Sequence, residues 1–117
     1  MPAHSTPPAA ATSDIVRGTL DLLILKALAP APMHGWAIAQ RLEQLSRDAL
    51  RVGQGSLYPA LQRLEEKGWI ESDWHGTEAG RRAKFYELTR AGRRALGAGM
   101  AQWRRYVDMV ELILATS

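Results

Sequence analysis

Metal or acid–base chemistry would rest most readily on the histidines. His4, His34 and His75 are far apart in the chain, with no metal-ligand spacing between them. Cysteine is absent, which removes thiolate nucleophiles, thiolate metal sites and disulfides together. Gly53-Gln54-Gly55-Ser56 matches neither a nucleophile elbow nor a phosphate-binding loop, and its short Gly-x-Gly suits a turn that opens a helix. No catalytic residue, metal or cofactor is expected. A chain of 117 residues has room for one domain with an appended arm.

A different chemistry stands out just after that turn. Leu57, Leu61 and Leu64 mark the dry side of a helix, and Gln54, Ser56, Pro59, Gln62 and Arg63 lie on the other. Glutamine can pair bidentately with adenine, arginine with guanine, and serine with either. Gln54, Ser56, Gln62 and Arg63 are therefore the expected contacts to bases or nearby phosphates. Tyr58 lies at the boundary, either offering its hydroxyl to a phosphate or packing half-buried. Pro59 near a helix start lacks an N–H that would be partly unsatisfied there. His34 precedes an earlier helix, where it either sits beside backbone N–H groups that receive a phosphate or caps the helix.

The charge supports this reading only when it is divided along the chain. The net charge of +3 is modest. Residues 1–80 hold seven Lys+Arg against nine Asp+Glu, whereas residues 81–117 hold eight against three. The basic excess starts at Arg81, Arg82 and Lys84 and continues through Arg90, Arg93 and Arg94. Such a cluster on a hairpin tip would contact phosphates, and otherwise it is a solvated surface.

The elements that must position these residues follow from the hydrophobic period. Residues 1–13, with Pro2, Pro7 and Pro8 among small residues, are expected to form a disordered arm without signal-peptide character. Ser13 can cap a first helix that carries apolar residues on two sides and stops before Pro30 and Pro32. A second helix starts near Gly35, with Trp36, Ile38, Ala39, Leu42 and Leu45 as its expected inner stripe. The third runs from the Gly53 break to about Lys67, with Gly68 as its C-terminal glycine. Residues 69–74 and 83–88 read as two strands joined by a polar turn over 75–82. Thr89 can cap a last helix from Arg90 to about Ala115. The fold class is mainly α with a small β-hairpin: a winged helix-turn-helix plus a long C-terminal helix. The expected division is an arm over 1–13, a winged helix-turn-helix domain over 14–89 and a dimerisation helix over 90–117. The longest apolar stretch is too short for a membrane span, so a cytoplasmic location without a membrane partner is expected.

In the last helix, Leu96, Met100, Trp103, Val107, Val110 and Leu114 are separated by 4, 3, 4, 3 and 4 residues. This 3.5-residue period is the seam of a coiled-coil-like pairing. At 1.5 Å per residue the helix would reach about 39 Å, more than a three-helix core can cover. It therefore serves as a homodimer interface, or else folds back on its own core. Pairing with a different protein makes the chain an interaction module, and the basic helix on a membrane surface is a further alternative. Trp36, Trp69 and Trp74 are expected in the core. Trp103, flanked by Met100 and Val107, either fills the interface or stacks on a planar ligand.

Residues 18–92 resemble the PadR family of bacterial transcription regulators. The match is carried by Gly18-Thr19-Leu20-Asp21, His34-Gly35-Trp36-Ala37-Ile38, Gly55-Ser56-Leu57-Tyr58-Pro59-Ala60-Leu61 and Arg63-Leu64-Glu65. It continues through Lys67-Gly68-Trp69-Ile70, Gly80-Arg81-Arg82-Ala83-Lys84-Phe85-Tyr86, Leu88-Thr89 and Ala91-Gly92. Trp36 stands where the family usually has tyrosine, and Gly53 where it often has Ser or Asn. The resemblance implies a homodimeric repressor of the short form with one C-terminal dimerisation helix. Its partner would be double-stranded DNA with a pseudo-palindromic operator, whose half-sites lie about 10 bp or a multiple apart. Drug-responsive members of that family use a tryptophan of this helix in a flat pore between protomers, which implies a small aromatic effector at Trp103, Met100 and Val107.

Overall fold

The chain alternates helices with very short strands before its hairpin. In the computed structural model, which describes residues 10–11, 17–76 and 80–116, the order is β1 (Ala10–Ala11), α1 (Arg17–Leu28), β2 (Met33–His34), α2 (Gly35–Leu45) and β3 (Leu50–Arg51). There follow α3 (Gln54–Glu66), β4 (Ile70–Gly76), β5 (Arg82–Leu88) and α4 (Arg90–Leu114). This is the winged helix-turn-helix arrangement, mainly helical, with a long terminal helix. His4, Ser13 and most of the expected arm lie outside the described residues. Ala10 and Ala11 are not free chain: they pair in parallel with Leu50 and Arg51.

Helix α1 is central because it is apolar on two sides. Leu20, Ile24, Leu25, Ala27 and Leu28 are buried, and Leu22 and Leu23 pack against the same core. Helix α2 contributes Ile38 and Leu42, and α3 contributes Leu57, Ala60, Leu61 and Leu64. The strand ends Ile70, Tyr86 and Leu88 close the core from the sheet side.

The helix ends obey local rules. His34 caps α2 by accepting the Ala37 N–H at Nδ1, 3.2 Å away. The chain leaves α2 through Arg47 and Asp48, both at positive φ. Gly53 opens α3 without a side-chain bond, and Gly68 at φ 75° follows its end. Pro59 is the sixth residue of α3, not an opening residue, so its ring removes the helical donor to the Gly55 carbonyl. Thr89 caps α4 by accepting the Gly92 N–H at 3.0 Å.

The hairpin strands are longer than the sequence suggests. The β4–β5 ladder runs from Ile70↔Leu88 to Gly76↔Arg82, so His75, Gly76 and Arg82 belong to the strands. Strand β2 adds to the other edge of β5, through Met33↔Tyr86 and His34↔Phe85.

Three aromatic and aliphatic positions differ from expectation. Trp36 is 64% exposed, Trp74 53% and Leu45 56%. Trp36 lies two residues before Ile38, about 200° around the helix from it. Leu45 is the last residue of α2, beyond the core's edge. Trp74 shares a strand face with buried Ile70, but the hairpin has run past the helices by then.

Helix α4 divides in two. Gly92 and Leu96 are buried, Met100 packs against the core, and Gly99 faces Leu22 of α1. Beyond Met100 the helix projects, which gives principal extents of 59 × 31 × 22 Å. Trp103, Tyr106, Met109, Leu112, Ile113 and Leu114 are exposed there.

Candidate nucleic-acid interface

The outward side of α3 carries Gln54, Tyr58, Pro59 and Gln62 in the open, with Ser56 partly covered. Its inner side is fully committed to leucines and Ala60, so the helix is a polar surface laid on a dry base. Arg63 does not belong to that surface. Its Nη2 donates to Oδ1 of buried Asp21 at 2.8 Å, and its Nε to Oδ2 at 3.5 Å. In the structure Arg63 is engaged as a tie between α3 and α1.

The wing stands beside this helix. Arg81 and Arg82 are exposed, and Lys84 is partly covered. The wing is fastened to α3 through Glu65, whose Oε2 accepts from the Ser72 hydroxyl at 2.6 Å and whose Oε1 lies 3.8 Å from Lys84 Nζ. Lys84 also lies 5.7 Å from the centre of the Tyr86 ring. Burial, then the charge of Glu65, then Tyr58 push the Tyr86 phenol above its usual 10.0.

A concavity of about 530 Å³ opens where α2, α3 and the wing meet. His34, Trp36, Tyr58, Trp74, Arg82 and Lys84 are among its lining residues. His34 spends Nδ1 on the cap, while its ring stacks on Trp36 at 6.1 Å and meets Phe85 edge-on at 5.4 Å. Gly35 permits the close approach of α2 to α3, since a Cβ there would lie 2.9 Å from the Tyr58 hydroxyl. Tyr58 thus belongs both to the exposed side of α3 and to this concavity.

The fold therefore gathers Gln54, Ser56, Tyr58, Pro59, Gln62, Arg82, Lys84 and His34 around α3 and the wing, and leaves out Arg63. Sequence reasoning missed Trp36 and Trp74 as residues of this face and Glu65 as the wing's anchor. The 200° offset of Trp36 from Ile38 was a usable signal. For Trp74 the two-residue strand period places it with Ile70 and gives no mark of where the core stops. Among the described residues no group of three or more His, Asp or Glu could hold a metal ion. None of their helices is long and apolar enough to cross a membrane.

The family described as the transcriptional regulator PadR-like family matches residues 24–98. The chain belongs to the PadR-like family. These are DNA-binding transcription regulators, not enzymes. The PadR-like chain is 40% identical over 80 residues to "Transcriptional regulator Rv3488" of Mycobacterium tuberculosis, covering 68% of this chain and 71% of that relative. Among solved structures, a PadR family transcriptional regulator from Eggerthella lenta is similar at TM-score 0.74 and 33% identity, with 86% of each chain covered. A transcriptional regulator from Clostridium thermocellum gives TM-score 0.77 at 26% identity, covering 84% of this chain and 95% of that one. PadR-family regulators bind DNA and typically act as dimers.

Proposed function

We propose that the chain is a homodimeric repressor that binds a pseudo-palindromic operator and is released by a small planar aromatic effector. The observation that carries this reading is the continuity of the polar side of α3 with the basic wing. Gln54, Ser56 and Gln62 offer hydrogen bonds that suit base edges in a major groove, while Arg81, Arg82 and Lys84 supply phosphate contacts beside them. Tyr58, Pro59 and His34 border the same face. In this reading residues 14–89 form the DNA-binding unit and 90–117 the dimerisation helix.

Two reading helices held by one dimer favour half-sites about 10 bp apart or a multiple of it. Of the expected stripe, Leu96 is taken up by the chain's own core and Met100 packs against it, so the pairing surface is the projecting part, Trp103, Val107, Val110 and Leu114. A ligand between protomers would lodge at Trp103, which is 45% exposed and stands 5.9 Å, ring to ring, from Tyr106. Met100 and Val107 border it one turn to either side. Such a ligand releases DNA only by binding the non-operator geometry more tightly, since equal affinity for both states shifts nothing.

The test is protection of the promoter upstream of the chain's own coding sequence by the purified protein. A protected pseudo-palindrome, lost on adding planar aromatic compounds, supports the reading. A chain that protects no duplex and sediments as a monomer would instead favour an interaction module that pairs through α4.

A further inference from the structure

The concavity between α2, α3 and the wing is lined by two exposed tryptophans and by the cations Arg82 and Lys84, and among the described residues no carboxylate lines it. Trp36 and Trp74 are the chain's most exposed indoles, whereas Trp69 is half-buried beneath Lys67 Nζ at 4.6 Å. Arg82 leans toward Trp74, with Cζ 6.0 Å from the ring centre. Lys84 enters from the strand partner of Trp74, and the Tyr58 hydroxyl enters from α3. Glu65 reaches Lys84 from the α3 side and holds its ammonium at the rim of the concavity.

We propose that this slot takes the sugar–phosphate backbone of duplex DNA, with one phosphate on Arg82, Lys84 and the Tyr58 hydroxyl, and the flanking deoxyriboses against Trp36 and Trp74. The inference rests on the DNA-binding reading above and adds two residues and a second kind of contact to it. Charge selects the occupant, because among the described residues both charged lining side chains, Arg82 and Lys84, are cations. Position selects it as well, because Tyr58 places the slot at the edge of the α3 face that would lie in the groove. The indoles explain why so much apolar surface stands beside a charged wing. A deoxyribose presents an apolar face between two phosphates, and large exposed apolar surface usually marks a binding site. An indole has the flat apolar body to cover such a sugar and an N–H to offer a phosphate oxygen.

The two kinds of contact separate by their response to salt. Cations release counterions when they neutralise phosphates, and indoles do not. The experiment titrates the full chain with its promoter duplex and with a scrambled duplex of equal length, at several salt concentrations. Trp36→Ala and Trp74→Ala are each expected to weaken both duplexes about ten-fold, the scale for uncovering one indole face. Their slope of log K against log salt stays that of the parent. Lys84→Ala is expected to flatten that slope by about 0.9. DNA is expected to quench the indole fluorescence of the parent, and the double variant to lose most of that quenching. Unchanged thermal unfolding of both single variants establishes that binding alone is altered. If the parent binds and Lys84→Ala flattens the slope while both tryptophan variants bind like the parent, the slot is overturned and the DNA-binding reading survives. A parent that binds no duplex overturns both.

Discussion

The Arg63 guanidinium lies against the Asp21 carboxylate across the α1–α3 interface, with Nη2 2.8 Å from Oδ1 and Nε 3.5 Å from Oδ2. The Asp21 side chain is 8% exposed and that of Arg63 25%. The pair therefore fixes the azimuth of α3 on α1, and with it the direction in which Gln54 and Gln62 point. Removing one partner strands the other in a poorly hydrated place. Arg63→Ala is expected to lower stability by about 3 kcal/mol. Replacing both residues by apolar side chains, Asp21→Leu with Arg63→Met, should recover most of it, since a dry pair loses no ionic partner. Urea unfolding of the three chains measures this. Arg63→Ala should also weaken promoter and scrambled duplexes by equal factors, and a loss confined to the promoter would return Arg63 to base reading.

Two glycines of α4 should respond to alanine with opposite signs. A Cβ on Gly92 would overlap the carbonyl of Trp69, whose oxygen already accepts the Thr89 N–H at 3.0 Å. Backbone cannot yield as a flexible side chain can, so Gly92→Ala is expected to cost about 3 kcal/mol. Gly97 has nothing within 4 Å of such a Cβ. There the intrinsic preference of a helix for alanine prevails, and Gly97→Ala should stabilise by about 0.5–1 kcal/mol. Thermal unfolding at one fixed protein concentration compares them.

What the sequence made legible is what is decided locally. Gly53, Gly68 and Thr89 mark helix boundaries through the bonding of adjacent backbone, so α3 begins and ends, and α4 begins, where those residues indicate. Strands β2 and β3 have two residues each, too few to show a period, and only their partners Tyr86, Phe85, Ala10 and Ala11 define them. The site was legible in its residue types and less so in their directions. Arg63 looks like any helix-surface arginine until Asp21, 42 residues earlier, is brought beside it. Trp36 and Trp74 look like core because tryptophan is costly to expose. The place of Trp36 was legible from its offset around α2, whereas that of Trp74 depends on how far the hairpin outruns the helices, a property of the assembled fold.

The alkaline limb of stability should belong in part to Tyr86. Its phenol is held above 10.0 by burial first, with Glu65 and Tyr58 adding to it. The folded chain then holds this proton more tightly than the unfolded chain. Below the unfolded value both states are protonated and the group adds no pH dependence. As pH rises past it, the unfolded state ionises first and stability falls. Tyr86→Phe removes that increment, so the parent should lose more unfolding free energy than the variant between neutral pH and strongly alkaline pH. Identical slopes for the two chains would show that Tyr86 ionises as freely folded as unfolded.

The projecting half of α4 sets the last expectation. Val107 and Val110 are half-buried on the stripe between exposed Trp103, Tyr106, Met109 and Leu114, and neither belongs to the hydrophobic core cluster. Glutamate keeps helix propensity while placing charge in an apolar seam. Val107→Glu with Val110→Glu is therefore expected to leave a folded monomer where the parent sediments as a dimer. The two DNA-reading units then bind independently, and the gain from linking them disappears. Operator affinity should fall by about 10²–10⁴, while affinity for a single half-site stays near that of the parent. A double variant that remains dimeric would place the pairing surface elsewhere. One that is monomeric yet binds the full operator undiminished would show that a single protomer suffices for recognition.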